Sequence, residues 1–374
     1  MDKFTKVILV SYPIDFTIDE AKSLVESVPE NKIVKVYTQK YLNHAKYGMG
    51  LGKAEEIQKF VKESKDIQKI IVDEHLSSRQ IFNLEQILEI QVIDRERLIL
   101  DIFYSRATTV EAKLQIQLAE IRYNMPRVRD KAKMMSKSNE RAGKGGMGEY
   151  IVDVQFRDLK RQMSFIKEKL KDAHLKRQVY HEQRLKKGMP IVSLVGYTSS
   201  GKTTLFNLLT KENKETSSDL FTTLSTTMRS MQGLNSADAE RDEKILIVDT
   251  VGFISRLPHY MIDAFKSTLE ESLVADLILL LIDCSENIEN IGIKYYSCWQ
   301  TLNELKVDKS KVYVVLSKAD NIKSNEMSEI VNYLNISAVN KIFISSKTGY
   351  GIHKLRNMIL SKKYMERQKT GSVN

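Results

Sequence analysis

The residues best suited to chemistry lie in one run, Gly196-Tyr197-Thr198-Ser199-Ser200-Gly201-Lys202-Thr203. The spacing G-x-x-x-x-G-K-T follows the apolar run IVSLV and precedes the helical pattern TLFNLL, the strand, loop and helix that a phosphate-binding loop requires. Gly196 and Gly201 permit a turn that aims successive backbone N–H groups at phosphate oxygens, and the helix N-terminus adds its partial positive charge. Lys202 is suited to the β and γ phosphates, and the Thr203 hydroxyl to a Mg2+ ion.

Three further elements follow in order. Asp249-Thr250-Val251-Gly252 closes the run KILIVDT, placing a carboxylate where it can hold Mg2+ through water and the Gly252 N–H where it can meet a γ-phosphate. Ser317-Lys318-Ala319-Asp320 follows KVYVVL. A carboxylate at Asp320 can accept both the N1–H and the N2 amino group of guanine, a pair that adenine does not offer, while Lys318 lies along the base. Ser345-Ser346-Lys347 follows KIFI and can present a backbone N–H to guanine O6. Together these elements predict a GTPase that binds GTP and GDP, not an ATPase.

Between the phosphate loop and Asp249 lies a polar, Thr-rich segment, KENKETSSDLFTTLSTTMRS, suited to a switch ordered by a γ-phosphate and its Mg2+. Its nucleotide-facing part is expected at Phe221, Thr222, Thr223, Leu224 and Ser225. Thr223 is the favoured second Mg2+ ligand, with Thr222 and Thr226 left open by spacing alone. The predicted metal set is Thr203, Thr223 and Asp249, and the predicted catalytic set is Lys202, Thr223 and Gly252. Phe253 stands where many small GTPases carry a Gln that orients the attacking water, so slow intrinsic hydrolysis is expected. Arg256 and His259 lie on the same segment and are read as exposed switch side chains, with a catalytic contribution as the alternative.

The elements that must position these residues follow an α/β pattern. Over residues 1–105, KVILVSY, KIVKVYT and KIIVDE read as strands alternating with helices IDEAKSLVESV, KAEEIQKFVKES and SSRQIFNLEQILE, with Ser77 or Ser78 as an N-cap. Gly48-Met-Gly-Leu-Gly52 is one residue short of a phosphate loop and reads as a turn into a helix, with an RNA contact or a second nucleotide site as the alternative. Tyr41 and Tyr47 flank it as either base-stacking or packing residues. Residues 106–188 read as a helical hairpin. Ala107, Val110, Leu114, Leu118 and Ile121 form one stripe, and Leu159, Met163, Ile166, Leu170 and Ala173 form the other; Pro126 is expected to stop the first helix and open a mobile basic connector. Residues 189–362 form the GTPase domain, and 363–374 a flexible basic tail.

Charge is concentrated. The chain of 374 residues has a net charge of +10, and Arg122–Lys187 alone holds 19 Lys/Arg against 8 Asp/Glu. That places the excess on the hairpin, as a nucleic-acid contact would require. Two cysteines, Cys284 and Cys298, are too few for a disulfide framework, and neither His44 nor His75 has ligand-spaced partners, so no metal other than Mg2+ is expected. The N-terminus lacks a signal-peptide pattern and the longest apolar run, Leu277–Ile282, is too short to span a bilayer, so a cytoplasmic location without membrane insertion is expected. A monomer is the default expectation.

GYTSSGKTTLFNLL, LFTTLSTTMR and DTVGFISRLPHYMIDAFKSTLEES resemble the HflX family of ribosome-associated GTPases, and so do YGMGLGKAEEI and VIDRERLILDIFYSRATTVEAKLQIQLAEIRYNMPRV. The resemblance implies an N-terminal α/β domain, a helical hairpin linker and a Ras-like P-loop GTPase domain. It also implies Thr223 as the switch Mg2+ ligand, Phe253 as a shared substitution, and the large ribosomal subunit with its ribosomal RNA as partners. Some relatives split or rescue stalled ribosomes. Three features depart from the family: Ser317 replaces the usual Asn, the GKGGMGE segment lacks the longer R-G-P-G-E run, and no additional C-terminal domain follows. The second reading is an RNA-binding or remodelling protein regulated by its GTPase domain.

Overall fold

The computed structural model describes residues 4–64, 66–140, 147–186, 189–214, 220–221, 227–232, 245–262, 275–336 and 340–370. Packing divides the chain into two compact units, Met1–Asp172 and Ala173–Asn374.

The first unit is built on a four-stranded parallel sheet in the order β2-β1-β3-β4. Its strands are β1 (Thr5–Ser11), β2 (Asn31–Thr38), β3 (Lys69–Val72) and β4 (Gln91–Asp94). The alternating helices are α1 (Asp15–Glu26), α2 (Leu51–Ser64), α3 (Ser78–Leu88) and α4 (Arg95–Arg106). The first three strands and helices match the sequence pattern. β4 and α4 are additions, because QVID is too short to carry a pattern of its own and pairs with β3 only in the fold. Ser77 caps α3 in a reciprocal box with Gln80. Gly48 lies in a tight turn closed by paired His44 and Gly48 backbone bonds; its φ is +72°, and an added Cβ would come 2.5 Å from Leu76 Cδ2. Tyr47 and Met49 pack into the core, whereas Tyr41 is exposed.

The C-terminal ends of β1, β3 and β4 carry a buried charge network. Arg95 pairs with Glu20 at 2.7 Å and with Asp73, which also accepts the Ser11 hydroxyl. Burial alone would lower the Arg95 pKa, but Glu20 and Asp73 hold it above the ordinary value. Asp94 accepts hydrogen bonds from the Leu76 and Arg97 amides, the Tyr123 hydroxyl and the Arg127 guanidinium.

This last pair corrects the expectation at Pro126. Helix α5 runs Val110–Glu140 with Pro126 inside it. Proline removes one helical hydrogen bond, but Tyr123 before it and Arg127 after it are both fastened to Asp94, and Arg127 also donates to the carbonyls of Tyr123 and Leu76. Tertiary anchors on both sides thus carry the helix through. The expected connector correspondingly shrinks: α6 begins at Met147 and extends to Lys186, and residues 141–146 lie outside the described residues. The hairpin seam packs Leu114, Leu118, Ile121 and Met125 against Leu159, Met163, Ile166 and Leu170. Val110 is exposed and takes no part in it.

In the second unit a six-stranded sheet has the order β10-β9-β8-β5-β7-β6. β5 (Ile191–Gly196), β7 (Leu246–Asp249), β8 (Leu277–Asp283), β9 (Val312–Ser317) and β10 (Lys341–Phe343) are parallel, and β6 (Thr227–Ser230) runs antiparallel to β7. Helices α7 (Lys202–Thr210), α8 (Ile288–Glu304), α9 (Ser324–Tyr333) and α10 (Ile352–Thr370) accompany it. The tail expected from residue 363 is therefore helical to Thr370, since KKYMERQK contains good helix formers and no Gly or Pro before Gly371. No helix among the described residues is long and apolar enough to cross a membrane.

Two substitutions test the charge network. Arg95→Met leaves Glu20 and Asp73 buried without their cation and is expected to destabilise the first unit by about 3–5 kcal/mol; an unchanged calorimetric transition of the full chain would refute this. His75 lies 3.1 Å from Glu96 with Asp94 and Arg127 nearby, and its hydrogen bond to Glu96 outweighs burial in raising its pKa. Its contribution is complete below the unfolded value of about 6.5 and fades as pH rises through the higher folded value. His75→Gln should therefore lower the melting temperature more at pH 5.5 than at pH 8.5.

Candidate nucleotide site

The C-terminal ends of the parallel strands converge the chemistry that the sequence pattern scattered over 150 residues. Gly196 ends β5, Asp249 ends β7, Asp283 ends β8 and Ser317 ends β9. This edge is where open α/β sheets bind ligands, because loops diverge there and helices begin with their N–H groups free.

The glycine loop passes so close to β8 that a Cβ on Gly196 would lie 2.3 Å from the Leu281 carbonyl oxygen. Gly201 caps α7 at φ +86°, a conformation that disfavours other residues. Lys202 is buried, and its ammonium donates to the Gly196 and Tyr197 carbonyls at 3.1 and 2.7 Å. Burial lowers its pKa to about 8, opposed by Asp249. Ser199 is exposed at positive φ, whereas Ser200 is buried and its hydroxyl has no partner among the described residues.

The loop is joined by hydrogen bonds to the segment that follows the Asp249–Gly252 turn. Thr198 N–H donates to the Phe253 carbonyl at 2.8 Å, Phe253 N–H to the Gly196 carbonyl at 3.0 Å, and Ser255 N–H to the Tyr197 hydroxyl at 2.7 Å. Gly252 is pressed against Thr198, whose Cγ2 would be 2.7 Å from an added Cβ. Thr250 donates its hydroxyl to the Leu194 carbonyl, and Val251 is buried beside it. Phe253 is 3% exposed and so is packed away from solvent. Arg256 has a φ of +51°, and exposed His259 faces Glu304 at 3.1 Å.

The Thr203 hydroxyl and Asp249 Oδ2 are 3.1 Å apart. A hydroxyl beside a buried carboxylate is a hard-oxygen donor set of the kind Mg2+ takes. The Lys214 ammonium lies 3.3 Å from the same Oδ2. The residues present therefore fit Mg2+, as GTPases generally use. Lys214 was not singled out by the sequence, since a lysine in a polar loop carries no distinguishing pattern. Phe221 is buried at positive φ; Thr222, Thr223, Leu224, Ser225 and Thr226 lie outside the described residues.

The third loop is tied to the first. The Ser317 hydroxyl lies 2.8 Å from the Ser200 carbonyl oxygen and 3.1 Å from the Ile282 carbonyl oxygen, sharing its one proton between them, while the Ser317 carbonyl accepts from the Cys284 amide and thiol. Lys318, in the left-handed region, pairs with Asp283, and Ala319 N–H bonds the Ile344 carbonyl. Asp320 is exposed, and its hydrogen bond to Ser345 lowers its pKa. Ser345 is buried at the head of the next loop, with Ser346 half-buried and Lys347 exposed. Both segments are thus brought to the same edge as the glycine loop.

Sequence comparison agrees with this geometry along most of the chain. Family models match in succession: GTP-binding GTPase N-terminal over residues 15–104, GTP-binding GTPase Middle Region over 106–184, and 50S ribosome-binding GTPase over 191–318. The GTPase HflX of Methanocaldococcus jannaschii is 39% identical over 344 residues, covering 92% of this chain and 82% of that protein. The chain belongs to the HflX family of GTPases. The Escherichia coli GTPase HflX is 34% identical over 343 residues, 90% of this chain and 77% of that protein. Among solved structures, a GTP-binding protein from Sulfolobus solfataricus in complex with GDP aligns over 97% of this chain and 99% of its own, with a TM-score of 0.51 and 25% identity. As a member of the family, the chain binds GTP and hydrolyses it.

The Ser317 tie generates a prediction. Ser317→Ala removes a buried hydroxyl that holds the base loop to the phosphate loop, a loss of roughly 0.5–1.5 kcal/mol, or about 2- to 13-fold in GDP affinity. Fluorescence titration with a labelled GDP measures it, and equal affinity for both proteins would contradict the tie.

Proposed function

We propose that this GTPase is a nucleotide-controlled switch that docks on the large ribosomal subunit in its GTP state and is released after hydrolysis. The observation that carries this reading is the union in one chain of a GTPase domain matching the 50S ribosome-binding model with a helix pair bearing the chain's charge excess. On that pair Arg129 and Lys160 lie over the Phe156 ring at 4.3 and 5.0 Å, and Lys169 over Phe165 at 4.5 Å. Cations interleaved with aromatic rings suit a phosphate backbone with unstacked bases, the features by which RNA is recognised. Splitting or rescue of stalled ribosomes, a cytoplasmic location and a monomeric state belong to the same reading, as does the division into 1–105, 106–188 and 189–362.

Within the site, Gly196–Thr203 would cradle the phosphates with Lys202 on the β and γ groups, and Asp320 would select guanine with Ser345–Lys347 at O6. Thr203, Asp249 and Thr223 would hold Mg2+, which when bound neutralises phosphate charge. Gly252 would offer its N–H to the γ-phosphate once its contact with Thr198 opens. Phe253 cannot orient water, so this chain binds and positions the nucleotide while an outside group completes catalysis. Completion of this kind is worth about 10³–10⁵ in rate.

The test is steady-state GTP hydrolysis with and without purified large ribosomal subunits, with ATP as control. Stimulation of at least tenfold by the subunit, with ATP inert, is expected. Unstimulated GTP hydrolysis together with tight binding to free RNA would instead favour an RNA-remodelling protein.

A further inference from the structure

Lys214 has no part in the reading above, yet its ammonium lies 3.3 Å from Asp249 Oδ2, the oxygen that also takes the Thr203 hydroxyl. Asp249 is completely buried, and the Lys214 side chain is only 26% exposed. The placement is built. Helix α7 ends with Lys211 in the left-handed conformation, turning the chain back along the helix. Asn207 then grips Lys214 by both backbone groups, donating from Nδ2 to its carbonyl at 2.9 Å and accepting its N–H on Oδ1 at 3.2 Å. The ammonium sits 5.1 Å from the centre of the Phe206 ring, a further favourable contact for a cation.

We propose that Lys214 is an internal counter-ion for the metal-binding carboxylate, holding Asp249 while the site is empty and yielding that place when Mg2+ enters with the nucleotide. The physical reason is charge. A buried carboxylate is costly without a cation, and Lys214 places one at ion-pair distance from Asp249 Oδ2, in addition to the more distant field of Lys202. An ammonium and a divalent ion crowded onto one carboxylate oxygen repel strongly in a partly buried setting, so the two exclude each other. Lys214 therefore stabilises the nucleotide-free protein and raises the Mg2+ concentration needed to load it. This inference rests on the reading of Thr203 and Asp249 as Mg2+ ligands.

Melting temperature of the full chain, followed as Mg2+ is titrated at saturating GDP, tests both claims, because a ligand that binds only the native state raises the melting temperature. Lys214→Met is expected to lower the Mg2+ midpoint about three- to tenfold, in line with the range for ion pairs between surface and core, and to lower the melting temperature of the protein without nucleotide or metal. Lys214→Arg, which keeps the cation, should stay near the parent. Asn207→Ala keeps the ammonium but frees its loop, and should shift the midpoint in the same direction as Lys214→Met. It carries the test if Lys214→Met fails to fold. A parent-like or raised midpoint in the variant overturns the inference. Absence of any effect of GDP and Mg2+ on the parent overturns the reading of the site itself, and the inference with it.

Discussion

The second unit depends on keeping an ammonium ion inside the protein. Lys202 is buried and donates to two carbonyls of its own loop, and this arrangement dictates what may surround it. Those carbonyls turn inward only because the chain at Gly196 runs against β8 where no side chain fits. Gly252 meets the same limit from the other side, since an added Cβ there would be 3.1 Å from Lys202 Nζ. The loop is thus squeezed between two backbone segments, and its geometry is fixed by packing before any phosphate arrives. Preorganisation of this kind spares the site reorganisation when charge is introduced.

The loops after β9 and β10 inherit their position from that loop. Ser317 reaches the Ser200 carbonyl, and the loop after β10 follows through Ala319 with Ile344 and Asp320 with Ser345. A side chain at 317 shorter than the Asn that the family resemblance implies still makes this bridge, because β9 ends directly beside the loop. The departure therefore leaves the architecture of the site intact.

In the first unit a similar economy of buried charge fixes the helices. Arg95 sits between Glu20 and Asp73, and Asp94 gathers donors from α4, α5 and the β3–α3 loop. Through Asp94 the long helix α5 is anchored on both sides of Pro126, so the start of the basic hairpin is set by the α/β domain beneath it. His75 approaches Asp94 and Glu96, a grouping that resembles a metal site. Asp94 is already saturated by two amides, a hydroxyl and a guanidinium, so the grouping is an ion-pair network.

The sequence alone determined the α/β class, the strand-loop-helix around Lys202, the guanine-selective order of motifs and the family, because each rests on local spacing that residues cannot satisfy by accident. It also determined the hairpin seam, through apolar residues at helical intervals. What it could not contain was any interaction between distant segments. The passage of α5 through Pro126 required Asp94, more than thirty residues away, and β4 required β3 as a partner. Lys214 is one lysine among many until the fold sets it on Asp249. Periodicity and motifs are written in neighbouring residues, whereas the pairing of buried charges is decided only when tertiary packing excludes water from around them.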